Sequence, residues 1–305
     1  MIVTERGQVL EIYAEARERR WVLPCLCSEN LTTTEAVLSA AGDYAVSRGI
    51  RGLPVILAVT CLYGQRPQCV NFTHTGRWDV GLALFTTQIH VLAGPGGPFE
   101  HLRVMLHLDH IQHDEPLASA DLPYYSSINF DASALPFEQN ITATAAFVEK
   151  RGKDIVVEGA CDEIAQGNLT TPENAKRYFE MTGVDFAVAN LGTEHRTAGS
   201  DLQYHGGLAR EIRAAVGPKI VLHGASSVPV ERLASLFDDG ICKVNLWTAL
   251  ERDSSAVLLD EMTANADKIA GPSRSLSHFT THYRQGIVFE KMKAMVSEYL
   301  DMWYI

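Results

Sequence analysis

The chain of 305 residues contains 46% hydrophobic and 21% charged residues, an ordinary composition for a globular protein. Its net charge of -11 argues against a surface that binds nucleic acid or an anionic membrane, although a local cluster of donors could still hold a phosphate. There is no apolar run of membrane-spanning length, no basic segment before an apolar core at the N-terminus and no Cys-x-x-Cys motif among the six cysteines, so we expect a cytoplasmic protein without a disulfide framework.

Short apolar runs alternate with segments of helical spacing along the chain. The predicted strands are 21–27, 53–60, 102–109, 125–130, 155–158, 184–190, 219–223 and 241–245. The predicted helices are 8–19, 34–47, 80–92, 115–121, 137–151, 172–182, 204–216 and 229–237, with further helical sequence toward the C-terminus. Between the second strand and the next helix, 61–78 reads as a long polar loop, of the kind that is often a functional lid or a local insertion.

Eight strands alternating with helices predict a (β/α)8 TIM barrel with an extra N-terminal helix and C-terminal helices, all within one domain of residues 1–305. A doubly wound open sheet is the alternative. We prefer the barrel because the polar residues capable of chemistry follow the carboxyl ends of the strands. Barrels of this kind carry their active sites at that end.

The motif His-Leu-Asp-His at 107–110 closes the third predicted strand. Since strand side chains alternate, His107 and Asp109 should share one side, while His110 faces the other side or starts the next loop. An imidazole beside a carboxylate offers a neutral metal ligand next to a possible proton carrier. Taken alone, the motif is also compatible with two satisfied polar residues at a strand end.

Two further histidines follow apolar strands, His195 after the sixth and His223 at the end of the seventh. In a barrel they would meet His110 at one mouth, and three imidazoles match a catalytic zinc site that keeps an open position. Asp131 and Glu158, at the ends of strands four and five, face the same mouth. They could orient the imidazoles, bind the metal at an alternative position, or be solvated acids of the loops.

Small residues follow the seventh and eighth strands, where barrels commonly hold a phosphate. The candidate phosphate-binding residues are Gly224, Ala225, Ser226, Asn245, Leu246, Trp247 and Thr248. Small side chains permit close approach of the backbone, and the N–H groups at the start of the next helix favour an anion. Either loop alone is weak evidence, and the two together beside His223 predict a phosphate site.

Five segments together resemble the class II, zinc-dependent ketose-bisphosphate aldolases, which include fructose-1,6-bisphosphate and tagatose-1,6-bisphosphate aldolases. They are His-Leu-Asp-His at 107–110, Ser-Ile-Asn-Phe-Asp-Ala-Ser at 127–133, Leu-Gly-Thr-Glu-His at 191–195, Leu-His-Gly-Ala-Ser at 222–226 and Lys-Val-Asn-Leu-Trp-Thr at 243–248. The segments occur in the family's order, and the resemblance extends over about residues 23–251.

The resemblance implies reversible aldol cleavage of a ketose 1,6-bisphosphate, with fructose 1,6-bisphosphate as the first candidate, to dihydroxyacetone phosphate and an aldehyde phosphate. Zinc on His110, His195 and His223 would stabilise the enediolate, and Asp109 would carry the proton of the C4 hydroxyl. The loop residues named above would contact dihydroxyacetone phosphate, and Thr60 would add a hydroxyl to its phosphate. The resemblance also allows a monovalent cation beside zinc and a homodimer or larger homo-oligomer.

The chain departs from the family after the fifth strand. The family has Glu-x-Glu-Leu-Gly there, followed by a mobile loop whose glutamate is thought to move the proton on the triose-phosphate carbon. Here Glu158 matches the first glutamate, Ala160 replaces the second, and 161–170 is much shorter than the usual loop. We predict that Glu163, or failing it Asp162, carries this proton.

Three other functions stay open. The chain could act on another ketose phosphate, or it could be a sugar-phosphate-binding relative that has lost catalysis, which the short segment after strand five would favour. A metal-dependent hydrolase on the same barrel usually needs a His-x-His pair on the first strand, and 23–27 has none. An aldolase that forms a Schiff base is disfavoured, because Lys243 is the single lysine near a strand end that could serve it.

Overall fold

In the computed structural model, which describes residues 1–120, 124–162, 168–194 and 203–304, eight parallel strands pair in chain order and close into a barrel. The strands are β1 (Leu23–Cys27), β2 (Pro54–Thr60), β3 (Arg103–Gln112), β4 (Ser127–Asp131), β5 (Val156–Ala160), β6 (Phe186–Val188), β7 (Ile220–Leu222) and β8 (Ile241–Leu246). Parallel pairing of β1 with both β2 and β8 closes the ring. The predicted (β/α)8 TIM barrel is confirmed.

Helices cover the outside of the barrel and extend beyond it at both ends of the described chain. They are α1 (Arg6–Glu18), α2 (Leu31–Arg48), α3 (Gln68–Asn71), α4 (Trp78–Ala93), α5 (Phe137–Arg151), α6 (Pro172–Thr182), α7 (Gly206–Val216), α8 (Val230–Leu233), α9 (Thr248–Ala264), α10 (Ala266–Ala270), α11 (Leu276–Phe279) and α12 (Thr281–Trp303). The predicted short helix after β3 is a 3₁₀ turn, Pro116–Ala118. The extra N-terminal helix is α1, and α9 to α12 are the helices predicted after the last strand.

The strands are apolar because nearly every one of their residues is buried. All residues of β1, β2, β4 and β5 are buried, either inside the barrel or beneath the helices. Parallel sheets need both faces covered, which explains the nearly continuous hydrophobic runs in the sequence. In the described part of the chain, no helix is both long enough and apolar enough to cross a membrane.

β3 continues past its predicted end at Asp109 and runs to Gln112. The pairing of β3 with β4 shifts register between Leu108 and Ile111, as it does where an extra residue bulges out of one strand. His110 lies inside this bulge with a φ of 49°, a left-handed conformation that is uncommon for a residue other than glycine. The bulge cancels the usual alternation, so that Asp109 and His110 both reach the same mouth of the barrel.

The predicted loop 61–78 is partly ordered into helix α3 and folds back against the end of β2. The backbone N–H of Thr60 donates to Oε1 of Gln68 at 2.9 Å. Gln68 and Cys69 are buried, so this part of the segment belongs to the packed interior. A loop anchored in this way can carry side chains over the mouth of the barrel.

Candidate metal centre and active site

Asp131 holds His110 in one orientation. Nδ1 of His110 lies 2.8 Å from Oδ2 of Asp131, and the other oxygen of Asp131 accepts from the N–H and hydroxyl of Ser133 at 3.0 and 2.6 Å. Burial alone would raise the pKa of Asp131, but the hydrogen bonds from His110 and Ser133 outweigh burial and lower the pKa to about 2. An ionised Asp131 places the His110 proton on Nδ1, which leaves Nε2 to bind a metal.

His110 and His223 meet Asp109 in a buried group that we call the mouth cluster. Nδ1 of His223 lies 3.1 Å from Nε2 of His110, and the possible ligand atoms of all three residues lie within 4.8 Å of one another. Two nitrogens bound tetrahedrally to one zinc ion at about 2.0–2.1 Å would be about 3.3 Å apart. The donor set and its spacing therefore fit a zinc ion.

Asp109 is fully buried and both of its oxygens accept hydrogen bonds. Oδ2 accepts from Nη2 of Arg66 at 2.6 Å, and Oδ1 accepts from Nδ2 of Asn245 at 3.0 Å. Burial alone would raise the pKa of this carboxyl, but its electrostatic interactions with His110, His223 and Arg66 outweigh burial and hold the pKa well below its usual range. Asp109 is therefore ionised, which is the state that a general base requires.

His195, the third predicted metal ligand, lies outside the described residues, but the two residues before it contact the loop that follows β7. The hydroxyl of Thr193 donates to the backbone carbonyl of His223 at 2.8 Å, and the N–H of Glu194 donates to the hydroxyl of Ser227 at 3.2 Å. A Cβ atom on Gly224 would lie within 2.7–2.9 Å of the Glu194 backbone. Glycine at 224 thus permits the close approach of the two loops.

The two predicted phosphate loops line one small pocket at the mouth of the barrel, which we call the mouth pocket. Its volume is about 20 Å³, and its lining residues are Arg66, Asp109, Gly224, Ala225, Ser226, Asn245, Leu246, Trp247, Thr248 and Ala249. The 3₁₀ turn Ala225–Ser227 and the first residues of α9 both begin here. N–H groups at such starts have no partner within their helix and favour an anion.

Thr60 lies at the end of β2, where its side chain is fully buried. Its hydroxyl donates to the backbone carbonyl of Arg66 and lies 3.3 Å from Oε1 of Gln68. In this arrangement Thr60 anchors the segment that carries Arg66. Its predicted contact with a phosphate stays a prediction.

Two residues of 61–78 that the sequence did not single out lie directly on the site. The ring of Tyr63 stacks on His110 with a centroid distance of 4.4 Å and an interplanar angle of 8°. Arg66 pairs with Asp109 and lies over the Trp247 ring, 5.1 Å from its centroid. The available signal was a long loop placed after a barrel strand, since no spacing in the sequence connects 63 or 66 to the histidines.

A second buried polar group, which we call the lower polar layer, consists of His107, Glu158 and Lys243 inside the barrel. The Lys243 ammonium lies 2.7 and 2.8 Å from the two oxygens of Glu158 and donates to Nε2 of His107 at 3.1 Å. Nδ1 of His107 bonds the hydroxyl of Ser127 at 2.8 Å, and the Tyr13 hydroxyl donates to Glu158 at 3.5 Å. As predicted, His107 shares a side with Asp109, and the closest approach of their polar atoms is 3.8 Å.

The position of Lys243 disfavours a Schiff-base aldolase. Burial alone would lower the pKa of the Lys243 ammonium, but the anionic groups around it, Glu158 and Asp109 among them, outweigh burial and raise the pKa. A Schiff base needs the neutral amine. The same ion pair engages both oxygens of Glu158, which favours a supporting role for this residue over direct metal ligation.

The predicted second proton carrier, Glu163, lies outside the described residues. Asp162, the other candidate, accepts a hydrogen bond from the Thr170 hydroxyl at 2.7 Å. Ala160 is the last residue of β5 and is buried. The hydrogen bond between Asp162 and Thr170 therefore holds together the two described ends of the segment 161–170.

Comparisons with known proteins agree with this geometry. The fold matches the crystal structure of the YdjI aldolase from Escherichia coli K12 with a TM-score of 0.74 and 20% identity, covering 99% of this chain and 97% of that one. It also matches the crystal structure of the fructose-bisphosphate aldolase from Campylobacter jejuni with a TM-score of 0.82 and 16% identity, covering 99% of this chain and 95% of that one. The family model described as fructose-bisphosphate aldolase class-II matches residues 7–303. The chain therefore belongs to the class II fructose-bisphosphate aldolase family, and the prediction of an enzyme of the carbon–carbon lyase class is confirmed.

Proposed function

We propose that this protein is a zinc-dependent aldolase that reversibly cleaves a ketose 1,6-bisphosphate, with fructose 1,6-bisphosphate as the first candidate. The observation that carries the proposal is the buried carboxylate of Asp109 in the mouth cluster, held by Arg66 and Asn245 beside a pocket lined by two loops that favour an anion. Family membership supplies the reaction class, and this arrangement supplies a base, imidazole ligands and an anion site within one small region.

The proposed zinc ligands are His110, His195 and His223, because three imidazoles with an open position are a catalytic zinc set. The packing of Glu194, the residue before His195, against Gly224 supports His195 as the third proposed ligand. When bound, the metal would polarise the ketose carbonyl and stabilise the negative charge that develops on its oxygen as the C3–C4 bond breaks.

The side chains of this protein would carry the proton steps. Asp109 would take the proton of the C4 hydroxyl during cleavage and return it during condensation, while Asn245 keeps the carboxylate oriented through its 3.0 Å hydrogen bond. Asp131 would orient the His110 ring. For the second proton, on the triose-phosphate carbon, Glu163 is the proposed carrier and Asp162 the alternative.

The mouth pocket would take the phosphate of the triose-phosphate half. Backbone N–H groups of the turn Ala225–Ser227 and of the start of α9 offer donors that bind a phosphate without a dedicated lysine. Gly224 has a φ of 67°, so the chain can turn there and present the next N–H groups inward.

Asp109→Ala tests the proposed function. We expect cleavage to fall by about 10²–10⁴-fold, the usual contribution of a positioned acid–base group, while zinc content and dihydroxyacetone phosphate binding stay nearly intact. Cleavage is measured by coupling triose-phosphate release to a reporter enzyme, with fructose and tagatose bisphosphates compared. The matched control is Asp114→Ala, an exposed aspartate just after β3.

Equal losses of binding and turnover in Asp109→Ala would instead make Asp109 a structural support for the metal. If the unaltered zinc-loaded protein binds triose phosphate but cleaves none of the ketose phosphates tried, it is a sugar-phosphate-binding relative. The short segment after β5, whose Asp162 is held by Thr170, is the feature that would favour that second function.

A further inference from the structure

Arg66 is the charged side chain of the mouth pocket that the proposed reaction leaves without a role. It is 8% exposed and comes from the segment 61–78. Its guanidinium pairs with Asp109 and lies over the Trp247 ring. Among the described residues that line the mouth pocket, it is the one arginine or lysine.

In this position Arg66 lines the mouth pocket and also covers the carboxylate of Asp109. Of the lining groups, the backbone of Asn245 and Leu246 belongs to β8 and the backbone of Thr248 and Ala249 belongs to α9. Arg66 has the longest flexible side chain in the pocket, so it is the group that can move at least cost.

A phosphate can replace the partner that Arg66 would lose. A buried guanidinium separated from its carboxylate is unfavourable unless another anion takes its place. A phosphate ester carries about −1.5 to −2 charges at pH 7, and its oxygens accept the paired N–H groups of arginine in a bidentate manner. The exchange of Asp109 for a phosphate therefore keeps Arg66 paired inside the pocket.

The same exchange changes what Asp109 can do. With Arg66 on Oδ2 and Asn245 on Oδ1, both oxygens of Asp109 are occupied at 2.6 and 3.0 Å. The guanidinium takes one lone-pair site of Oδ2, the oxygen that Asn245 does not hold, and its charged hydrogen bond competes there with a substrate hydroxyl. Removal of Arg66 frees Oδ2 while Asn245 continues to orient the group.

We propose that Arg66 is a phosphate-operated latch on Asp109. In the free protein Arg66 covers the carboxylate, and the phosphate of the substrate, bound in the mouth pocket, draws Arg66 off Oδ2 and releases Asp109 for proton transfer. This inference rests on the proposed function and adds to it a binding residue and a reason for selecting phosphorylated ketoses. A ketose without that phosphate leaves Arg66 on Asp109 and is cleaved slowly.

Binding of inorganic phosphate to the metal-loaded protein, measured by calorimetric titration, tests the first half of the inference. Arg66→Met should weaken binding by about 10- to 100-fold, the worth of a lost pair of charged hydrogen bonds. Arg66→Lys keeps the charge but not the bidentate fork, and it should give an intermediate loss. The matched control is Arg77→Met, from the same segment, whose side chain is 66% exposed and pairs with Asp79; its affinity should not change.

Cleavage kinetics test the second half of the inference, the release of Asp109 by phosphate. The rate on a ketose bisphosphate is compared with the rate on the same ketose without its C1 phosphate. For fructose, the two substrates are the 1,6-bisphosphate and the 6-phosphate. The unaltered protein should cleave the 6-phosphate slowly, and added inorganic phosphate should increase that rate. Arg66→Met should lose about 10- to 100-fold in kcat/KM on the bisphosphate. On the 6-phosphate it should be at least as fast as the unaltered protein, without stimulation by phosphate.

An arginine that merely supports the fold would lower the rate on both substrates alike, and that result overturns the latch. Unchanged phosphate affinity in Arg66→Met overturns it as well. If the unaltered protein cleaves no ketose at all, the proposed function fails. The titration then still decides whether Arg66 binds phosphate.

Discussion

The mouth cluster and the lower polar layer are both buried and polar, and their nearest polar atoms are only 3.8 Å apart, yet they differ in where their partners come from. The lower polar layer is joined internally, by residues of β3, β5 and β8 that pair with one another. The mouth cluster is covered by Tyr63 and Arg66, from a segment outside the barrel. Partners carried by barrel strands cannot leave without distorting the barrel, whereas partners on a loop can exchange for a ligand.

The comparison predicts that substitutions in the mouth cluster alter metal binding and activity, while substitutions in the lower polar layer alter stability. His223→Ala should have the largest effect. It removes one of three proposed ligands, so zinc content should fall from about one per chain to near zero, and cleavage should fall with it. Elemental analysis after dialysis measures the metal.

The control for His223→Ala is His74→Ala, an exposed histidine of the segment 61–78. It should keep its zinc and its activity. Full metal content in His223→Ala would show that the mouth cluster is not the metal site.

Lys243→Met should destabilise the fold by about 3–5 kcal/mol, because it leaves the buried carboxylate of Glu158 without its counter-ion. Urea unfolding measures the loss. The double variant Lys243→Met/Glu158→Leu should recover much of it, since apolar replacement of a buried ion pair is often neutral or stabilising. A double variant as unstable as the single one would mean that the ion pair itself carries the stability.

Asp131→Ala tests whether a residue that contacts the mouth cluster from its edge acts on metal binding or on stability. It removes the acceptor that fixes the His110 ring, so zinc affinity should fall by about 10- to 100-fold, the usual effect of losing such an orienting group. Competition with a chromogenic chelator measures the affinity. A change in unfolding free energy without a change in zinc affinity would show that Asp131 stabilises the fold, as the lower polar layer does, and does not support the metal.

Glu251→Gln tests a partly buried carboxylate in the first turn of α9 that has no ion-pair partner among the described residues. Burial, and then the charge of Glu29, raises the pKa of Glu251 to about 7. Its folded pKa is higher than the unfolded value of 4.5, so the stability it contributes is complete below pH 4.5 and is lost as pH rises through about 7. Relative to the unaltered protein, the free energy of unfolding of the variant should therefore rise by about 1–2 kcal/mol between pH 4.5 and pH 8.

Thermal or urea unfolding at a series of pH values checks this gain. A pH-independent difference between Glu251→Gln and the unaltered protein would mean that the carboxyl titrates normally.

The barrel could be predicted because its determinants are local. Each buried strand is a short apolar run, and each run is followed by a segment of helical spacing. Strand ends were less certain: the chain leaves β3 at Gln112 and not at Asp109, because the bulge at His110 allows pairing with β4 to continue. The helix predicted at 229–237 is shortened to α8, Val230–Leu233.

The grouping of the candidate site could be predicted where a polar side chain directly follows an apolar strand, and the structure brings Asp109, His110 and His223 together. It was not predictable where the contact depends on the path of a loop. Nothing in the spacing of 61–78 indicates that Tyr63 lies on His110 or that Arg66 reaches Asp109. Similarly, the alternation rule separates Asp109 from His110, and a tertiary irregularity in β3 brings them together.

The bulge in β3 brings to one side of the barrel two residues whose Cα separation thermal motion cannot change. Because Asp109 and His110 are consecutive, the Cα atoms of the proposed base and of a proposed metal ligand are separated by one peptide unit, about 3.8 Å. His223, which follows β7, is joined to them through non-covalent contacts, among them the 3.1 Å contact with His110. Motion of the strands can therefore change the distance from His223 to the other two, whereas the backbone positions of the base and its neighbouring ligand shift together.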